Sequence, residues 1–253
     1  MIMRGLSILS KTLFFYVLGV FWTGLIAYLL PVPVAIVERL LGKKETPMAL
    51  TLLYRYIWIT SFFLRHATSI RIDESARAPE GSAVVISNHH SYFDIFMLLH
   101  VFPRIQFSAR RTLFRIPFLG WAMALFGHFP HDPVKPEKAL EVAESWIRRG
   151  RFVGMFPEGT RSPNATIGPF GSGAFRLAQR TTRRVQPVVV AGTHRIWTKG
   201  QFWIRRLGPV RMRVLPTEEV PADLDRLEFL EVIEEIRAKM RKAHGELVSR
   251  LPD

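Results

Sequence analysis

Short apolar runs recur along the middle of the chain at 83–87, 105–108, 152–156, 185–190 and 210–215, set off by Gly, Pro or polar residues. Their length and the turn residues that bound them predict strands. Between them, segments 94–101, 113–126, 136–149 and 173–180 carry the helical period. Pro136 suits a first helical turn, and Gly150 suits the stop after the same helix. The alternation predicts an α/β fold: a mixed, largely parallel sheet flanked by helices, with its site at the C-terminal ends of the strands. Leu227, Leu230, Ile233, Ile236 and Met240 then fall at helical spacing, predicting a C-terminal amphipathic helix over 226–250 that packs on the domain. The chain shows no internal repeat and no low-complexity stretch.

The N-terminal pattern is different. No charged residue occurs from 12 to 37, and 12–30 is apolar almost throughout. A run of about 20 apolar residues is long enough to cross a hydrocarbon core. Pro31 and Pro33 are expected to end or bend that helix. A second run, 46–64, carries Arg55 near its middle, which predicts a helix lying in the membrane interface. The run exceeds the usual apolar core of a signal peptide, so the expectation is an uncleaved anchor. Residues 1–70 are thus predicted to be membrane-anchoring helices and 71–253 an α/β domain. The polar stretch 71–81, with Pro79 and Gly81, reads as the hinge between them.

Composition narrows the chemistry. Among 253 residues there is no cysteine, which removes disulfides, thiolate metal sites and a cysteine nucleophile. The formal charge of +14 calls for an anionic partner. Basic residues beside long apolar runs favour an anionic lipid surface over nucleic acid.

Two polar strings follow predicted strands. Asn88-His89-His90-Ser91-Tyr92-Phe93-Asp94 follows 83–87, and Phe156-Pro157-Glu158-Gly159-Thr160-Arg161-Ser162 follows the apolar run 151–155. His89 can act as a general base, with Asp94 holding its other ring nitrogen and fixing the tautomer. Asp94 can equally be a helix cap that satisfies backbone amides. Asn88 can orient the turn, and Ser91 can cap the helix or touch substrate. His90 has no carboxylate at the matching spacing, since Ile95 stands there. In the second string, Arg161 offers a planar fork to phosphate oxygens, Gly159 lets backbone amides approach, and Thr160 and Ser162 add hydroxyls. A solvated surface turn with a Glu158–Arg161 ion pair is the alternative.

These strings resemble the N-H-x-S-x-x-D and F-P-E-G-T-R-S blocks of the lysophospholipid and glycerol-phosphate acyltransferases, in particular the bacterial 1-acyl-glycerol-3-phosphate acyltransferases. The likeness covers roughly 83–192. It implies catalysis by His89 and Asp94, with Asn88, Ser91, Glu158, Gly159, Thr160, Arg161 and Ser162 binding the glycerol-phosphate acceptor. Arg111 falls on the basic position before Leu113-Phe114-Arg115-Ile116-Pro117-Phe118-Leu119-Gly120 and is expected to contact a phosphate or headgroup. Gln186-Pro187-Val188-Val189-Val190 resembles a fourth block and is expected to shape the acyl pocket.

The chain departs from the pattern in two places. Phe129-Pro130-His131-Asp132-Pro133 lacks the arginine of an F-I-x-R string, and Gly171 stands where a lysine commonly follows the phenylalanine. The implied partners are a lysophospholipid acceptor, an acyl-coenzyme A or acyl carrier protein donor, and a membrane, with no metal, no cofactor and no nucleic acid. The implied location is the inner (plasma) membrane, with the catalytic domain on the cytoplasmic side. Rival readings are an acyltransferase for another lyso-lipid, a metal-dependent phosphohydrolase using His89, Asp94 and Glu158, and a non-enzymatic membrane-binding protein.

Overall fold

A computed structural model describes residues 31–43, 48–49, 51–52, 55, 71–72, 80–102, 104–116, 119–131, 136–162, 164–197 and 208–252. The anchor predicted over 12–30 lies outside these residues, as does most of the run 46–64. Among the described residues no helix is long and apolar enough to cross a membrane.

Among the described residues eight strands form the sheet: β1 (Arg71–Ile72), β2 (Val84–Ser87), β3 (Ile105–Arg110), β4 (Phe129–His131), β5 (Phe152–Met155), β6 (Arg184–Ala191), β7 (Arg211–Val214) and β8 (Glu218–Glu219). Their order is β1-β7-β6-β2-β5-β3-β4, with β8 also on β6. From β6 to β4 every pairing is parallel, whereas β7 and β8 run antiparallel to β6. The predicted largely parallel α/β sheet is therefore present.

Among the described residues the helices include α1 (Pro31–Leu40), α2 (Phe93–Val101), α3 (Leu119–Leu125), α4 (Pro136–Arg148), α5 (Gly173–Arg180), α6 (Thr193–Ile196) and α7 (Arg226–Ser249). They cover both sheet faces, and β2 shows why its sequence is uninterruptedly apolar. Val84 and Ile86 join one core with Val153, Val189, Ile147, Phe175 and Met240, while Ala83 and Val85 join the other with Phe93, Leu98, Phe107, Val190 and Met212. Successive strand residues face opposite ways, so a strand between two helical layers has no position to leave polar.

Several expectations change. The hinge predicted from residue 71 begins as β1, paired with β7 through Arg71↔Arg211 and Ile72↔Met212. The helix that Pro31 and Pro33 were expected to end or bend lies outside the described residues, and both prolines fall within α1. The single helix predicted over 113–126 is divided into a 3-10 turn (Leu113–Arg115) and α3. Its cause is Pro117, which pushes the preceding residue out of the helical region; Ile116 is extended, at φ −74° and ψ 120°. In α7, burial begins at Ile233, and Leu227 and Leu230 are exposed rather than packed. That helix opens on a capping box, with Asp225 accepting from Leu227 N and Glu228 N while Glu228 accepts from Asp225 N.

Candidate active site

Strands β6, β2, β5 and β3 lie side by side and run the same way, so the segments that leave their C-terminal ends converge. Both polar strings leave from that edge.

Asn88 is fully buried and continues the sheet with its side chain. Its Nδ2 donates to Val190 O at 2.8 Å, and Val190 N donates to its Oδ1 at 2.9 Å. This pair of bonds extends the β2–β6 pairing one residue beyond Ser87↔Val188 and fixes where the next residue stands.

That residue is His89. Its backbone N donates to Glu158 Oε1 at 3.0 Å, and its carbonyl accepts from Ser162 N at 2.8 Å. Its ring stacks on Phe156, with centroids 3.9 Å apart and planes 17° apart. Phe156 in turn stacks on Phe107, which lies over Gly154 of the neighbouring strand, where any side chain would overlap the ring. The imidazole is thereby fixed from three sides while 14% of its side chain stays accessible.

Nδ1 of His89 stands 3.0 Å from Asp94 Oδ2. The carboxylate is closed to solvent. Oδ2 also accepts from His90 N at 2.7 Å and Ser91 N at 2.8 Å, and Oδ1 accepts from the Thr193 hydroxyl at 2.6 Å. An ionised carboxylate only accepts, so Nδ1 carries the ring proton and the lone pair of a neutral His89 is on Nε2. One carboxylate thus holds the imidazole and satisfies two backbone amides, although it does not cap the helix, whose N-cap is Tyr92 with no side-chain cap bond. Those amides precede it in the chain, and Ser91 Oγ accepts from Phe93 N at 3.2 Å at the start of α2.

Glu158 is tied to main-chain amides. Besides His89 N, it accepts from Gly168 N through Oε2 at 3.0 Å, tying three segments together. Gly159 closes a turn onto Phe156 O at 3.0 Å with φ +66°, a conformation that favours glycine. Arg161 lies over the Tyr92 ring at 3.9 Å, joining the two polar strings by a cation–π contact. Thr160 is exposed and Ser162 half-buried beside them. Arg111 is exposed where β3 gives way to the 3-10 turn, in company with exposed Arg110 and Arg115. Arg110 and His131 are register partners at the ends of β3 and β4, so basic groups stand at the edge where the sequence lacks the pattern's arginine.

Three features were not legible in the sequence. Thr193 reaches Asp94 from α6. His194 and His244 gather around His90, with ring centroids 6.2 and 5.1 Å from it. Burial lowers the pKa of all three histidines, that of His244 to about 4 with help from its two neighbours, so they pack as neutral rings. The fourth block, expected to shape an acyl pocket, is the buried strand β6, whose residues fill both cores and anchor Asn88. For the metal reading, the oxygens of Asp94 and Glu158 already accept from protein donors, and no cluster of three or more potential ligands occurs among the described residues.

Residues 69–191 match the family model described as Acyltransferase. Residues 69–191 carry an acyltransferase-family domain. Both polar strings lie inside it. The chain is 34% identical over 160 residues to the chloroplastic 1-acyl-sn-glycerol-3-phosphate acyltransferase of Brassica napus, covering 62% of this chain and 46% of that one. It is 32% identical over 183 residues to the 1-acyl-sn-glycerol-3-phosphate acyltransferase of Saccharomyces cerevisiae, covering 64% and 60%. The chain therefore spans about half the length of the curated relatives it matches. The crystal structure of the 1-acyl-sn-glycerophosphate (LPA) acyltransferase of Thermotoga maritima shares the fold, with a TM-score of 0.75 at 23% identity over 97% of this chain and 98% of that one. The chain thus has the fold of that solved structure.

Proposed function

We propose that the protein is a membrane-associated acyltransferase that moves a fatty acyl group from acyl-coenzyme A or acyl carrier protein to the sn-2 hydroxyl of lysophosphatidate, giving phosphatidate. The observation that carries this reading is the His89–Asp94 pair, an accessible imidazole oriented by a fully buried carboxylate. As the acceptor hydroxyl attacks the thioester carbonyl, Nε2 of His89 takes its proton and Asp94 stabilises the imidazolium. The C–O bond forms, the C–S bond breaks, and the proton passes to the departing thiolate. Backbone amides stabilise the oxyanion of the tetrahedral intermediate. Glu158 braces the backbone of His89, while Arg161, Gly159, Thr160, Ser162 and Arg111 receive the acceptor phosphate, with Asn88 and Ser91 shaping the turn beside it.

Membrane association is supported by the charge of +14 and by exposed Ile116 and Trp121 next to Arg111 and Arg115. Such a mixture of basic and large apolar side chains suits an anionic bilayer surface. The reading places the domain on the cytoplasmic side of the inner membrane.

The test is acyl transfer by the purified chain in detergent with labelled lysophosphatidate and acyl-coenzyme A, then acyl carrier protein, comparing wild type with His89→Ala. Phosphatidate is expected from wild type, with turnover reduced about 10²–10⁴-fold in the variant. A variant keeping more than about a tenth of wild-type turnover overturns the base assignment. A second acceptor class, such as lyso-ornithine lipid or lysophosphatidylglycerol, is favoured by one observation, the absence of arginine in Phe129-Pro130-His131-Asp132-Pro133. A panel of lyso-lipids decides between them by kcat/KM.

A further inference from the structure

We propose that Thr193 is a positioning residue for the reaction, holding the Asp94 carboxylate in the orientation that sets His89. The proposal rests on the base assignment above and extends it to an element that belongs to neither polar string.

Thr193 is fully buried, as is Asp94, and its hydroxyl stands 2.6 Å from Asp94 Oδ1 across 99 residues of sequence. The donors on the other oxygen, His89 Nδ1, His90 N and Ser91 N, all come from the loop that leads directly into α2, the helix that carries Asp94. Thr193 thus supplies a contact from outside that loop and resists rotation of the carboxyl group about its bond to Cβ. Two features place it. The paired Asn88–Val190 bonds hold the end of β6 beside the end of β2. Gly192 then turns the chain with φ +95°, where a Cβ would come to 2.5 Å from Pro209 O, and Thr193 opens α6 on the other side of that turn.

A hydroxyl that donates to one carboxylate oxygen draws negative charge toward it and away from the other. Without that donor, Oδ2 holds the His89 proton more strongly and the imidazolium is favoured over the neutral base. The charged and titratable groups around the pair are Glu158 from the turn after β5, His90 from the same loop, His194 from α6 and, behind His90, His244 from α7.

The experiment compares full-length wild type, Thr193→Val, Thr193→Ser and His89→Ala in the acyl-transfer assay across pH. Thr193→Val is expected to lower kcat roughly tenfold, with KM within about twofold and the acid limb of the kcat profile displaced upward by about half a pH unit. Thr193→Ser restores the hydroxyl and is expected to recover both kcat and the acid limb. A purely structural threonine would lower the yield of folded protein and leave the pH profile of the active fraction in place. Wild-type kcat and acid limb in Thr193→Val, beside an inactive His89→Ala, overturn the positioning role and leave the base assignment standing. Activity retained by His89→Ala overturns both. Should Thr193→Val not fold, Thr193→Ala takes its place: a lowered kcat with a displaced acid limb supports the role, and a wild-type kcat and acid limb overturn it.

Discussion

Glu158 holds His89 by its backbone rather than by its ring: Oε1 accepts from the His89 amide at 3.0 Å, while Oε2 accepts from Gly168 N at 3.0 Å. A carboxylate that accepts two main-chain amides is matched by no neutral side chain, because an amide side chain has one oxygen and one donor nitrogen. Glu158→Gln leaves one N–H facing an NH2 group. Hydrogen bonds to charged groups contribute about 1.5–3 kcal/mol, so a loss of that order is expected in a urea titration. Since the displaced amide belongs to His89, kcat is expected to fall along with stability, by about tenfold or more. Unchanged stability and turnover in Glu158→Gln would mean the brace is dispensable.

Asp94→Asn tests a different property of the site. The carboxylate accepts four hydrogen bonds, two of them from backbone amides. Asparagine nearly keeps the shape but turns one oxygen into a donor that faces donors, and it no longer selects the Nδ1–H tautomer of His89. Turnover is expected to drop about 10²-fold or more, and stability by a few kcal/mol, because the displaced groups are buried. The measurement is single-turnover acyl transfer beside thermal unfolding. Substantial turnover in a folded Asp94→Asn would show that the imidazole is oriented by the Phe156 stack alone.

What was legible in the sequence is what is local. His89 and Asp94 are five residues apart, and one loop brings them together. The strands were legible because apolar runs covered on both faces leave a continuous signal, as in β2 and β6. The clamps were not. Asn88–Val190 spans 102 residues, Asp94–Thr193 spans 99 and His89–Glu158 spans 69. Those contacts depend on the order of strands in the sheet, and spacing along the chain does not encode that order. The short strands β1 and β8 were missed for a related reason: two residues carry no period, and only the partner strand makes them strands.

Gly154→Ala reaches the site through rings. A Cβ at 154 would overlap the Phe107 ring and come within 2.8 Å of Ile105 Cδ1. Phe107 stacks on Phe156 at 6.1 Å, and Phe156 on His89 at 3.9 Å. Overpacking of this kind typically costs about 1–3 kcal/mol, and here the displaced ring backs the imidazole. Loss of stability with a matching loss of kcat is expected. Phe107→Leu in the same background frees space above residue 154 and is expected to recover stability more fully than kcat, because the ring stack is not rebuilt. Recovery of both to wild-type levels would separate the stack from catalysis.

The buried histidines set an acid limit on the fold. His244 is 8% exposed, and burial together with His90 and His194 lowers its pKa to about 4. In the unfolded chain the group titrates near its ordinary value of about 6.5. Above that pH it is neutral in both states, and its contribution to stability is complete. As the pH falls below about 6.5 the unfolded chain takes up a proton that the folded one refuses until about 4, so stability declines through that window and the loss levels off below it. His90 and His194 are lowered in the same direction and add to the slope. Replacing His244 by phenylalanine keeps a ring edge-on to His90 and removes the proton site. The difference in unfolding free energy between pH 7 and pH 4.5 is then expected to shrink by about 2 kcal/mol relative to wild type. Urea titrations at the two pH values measure it, with His244→Gln as a polar control that is also unable to titrate. Equal pH dependence in all three proteins would mean that the ring takes up its proton in the folded state as readily as in water, and that the histidines meet the acid from outside the core.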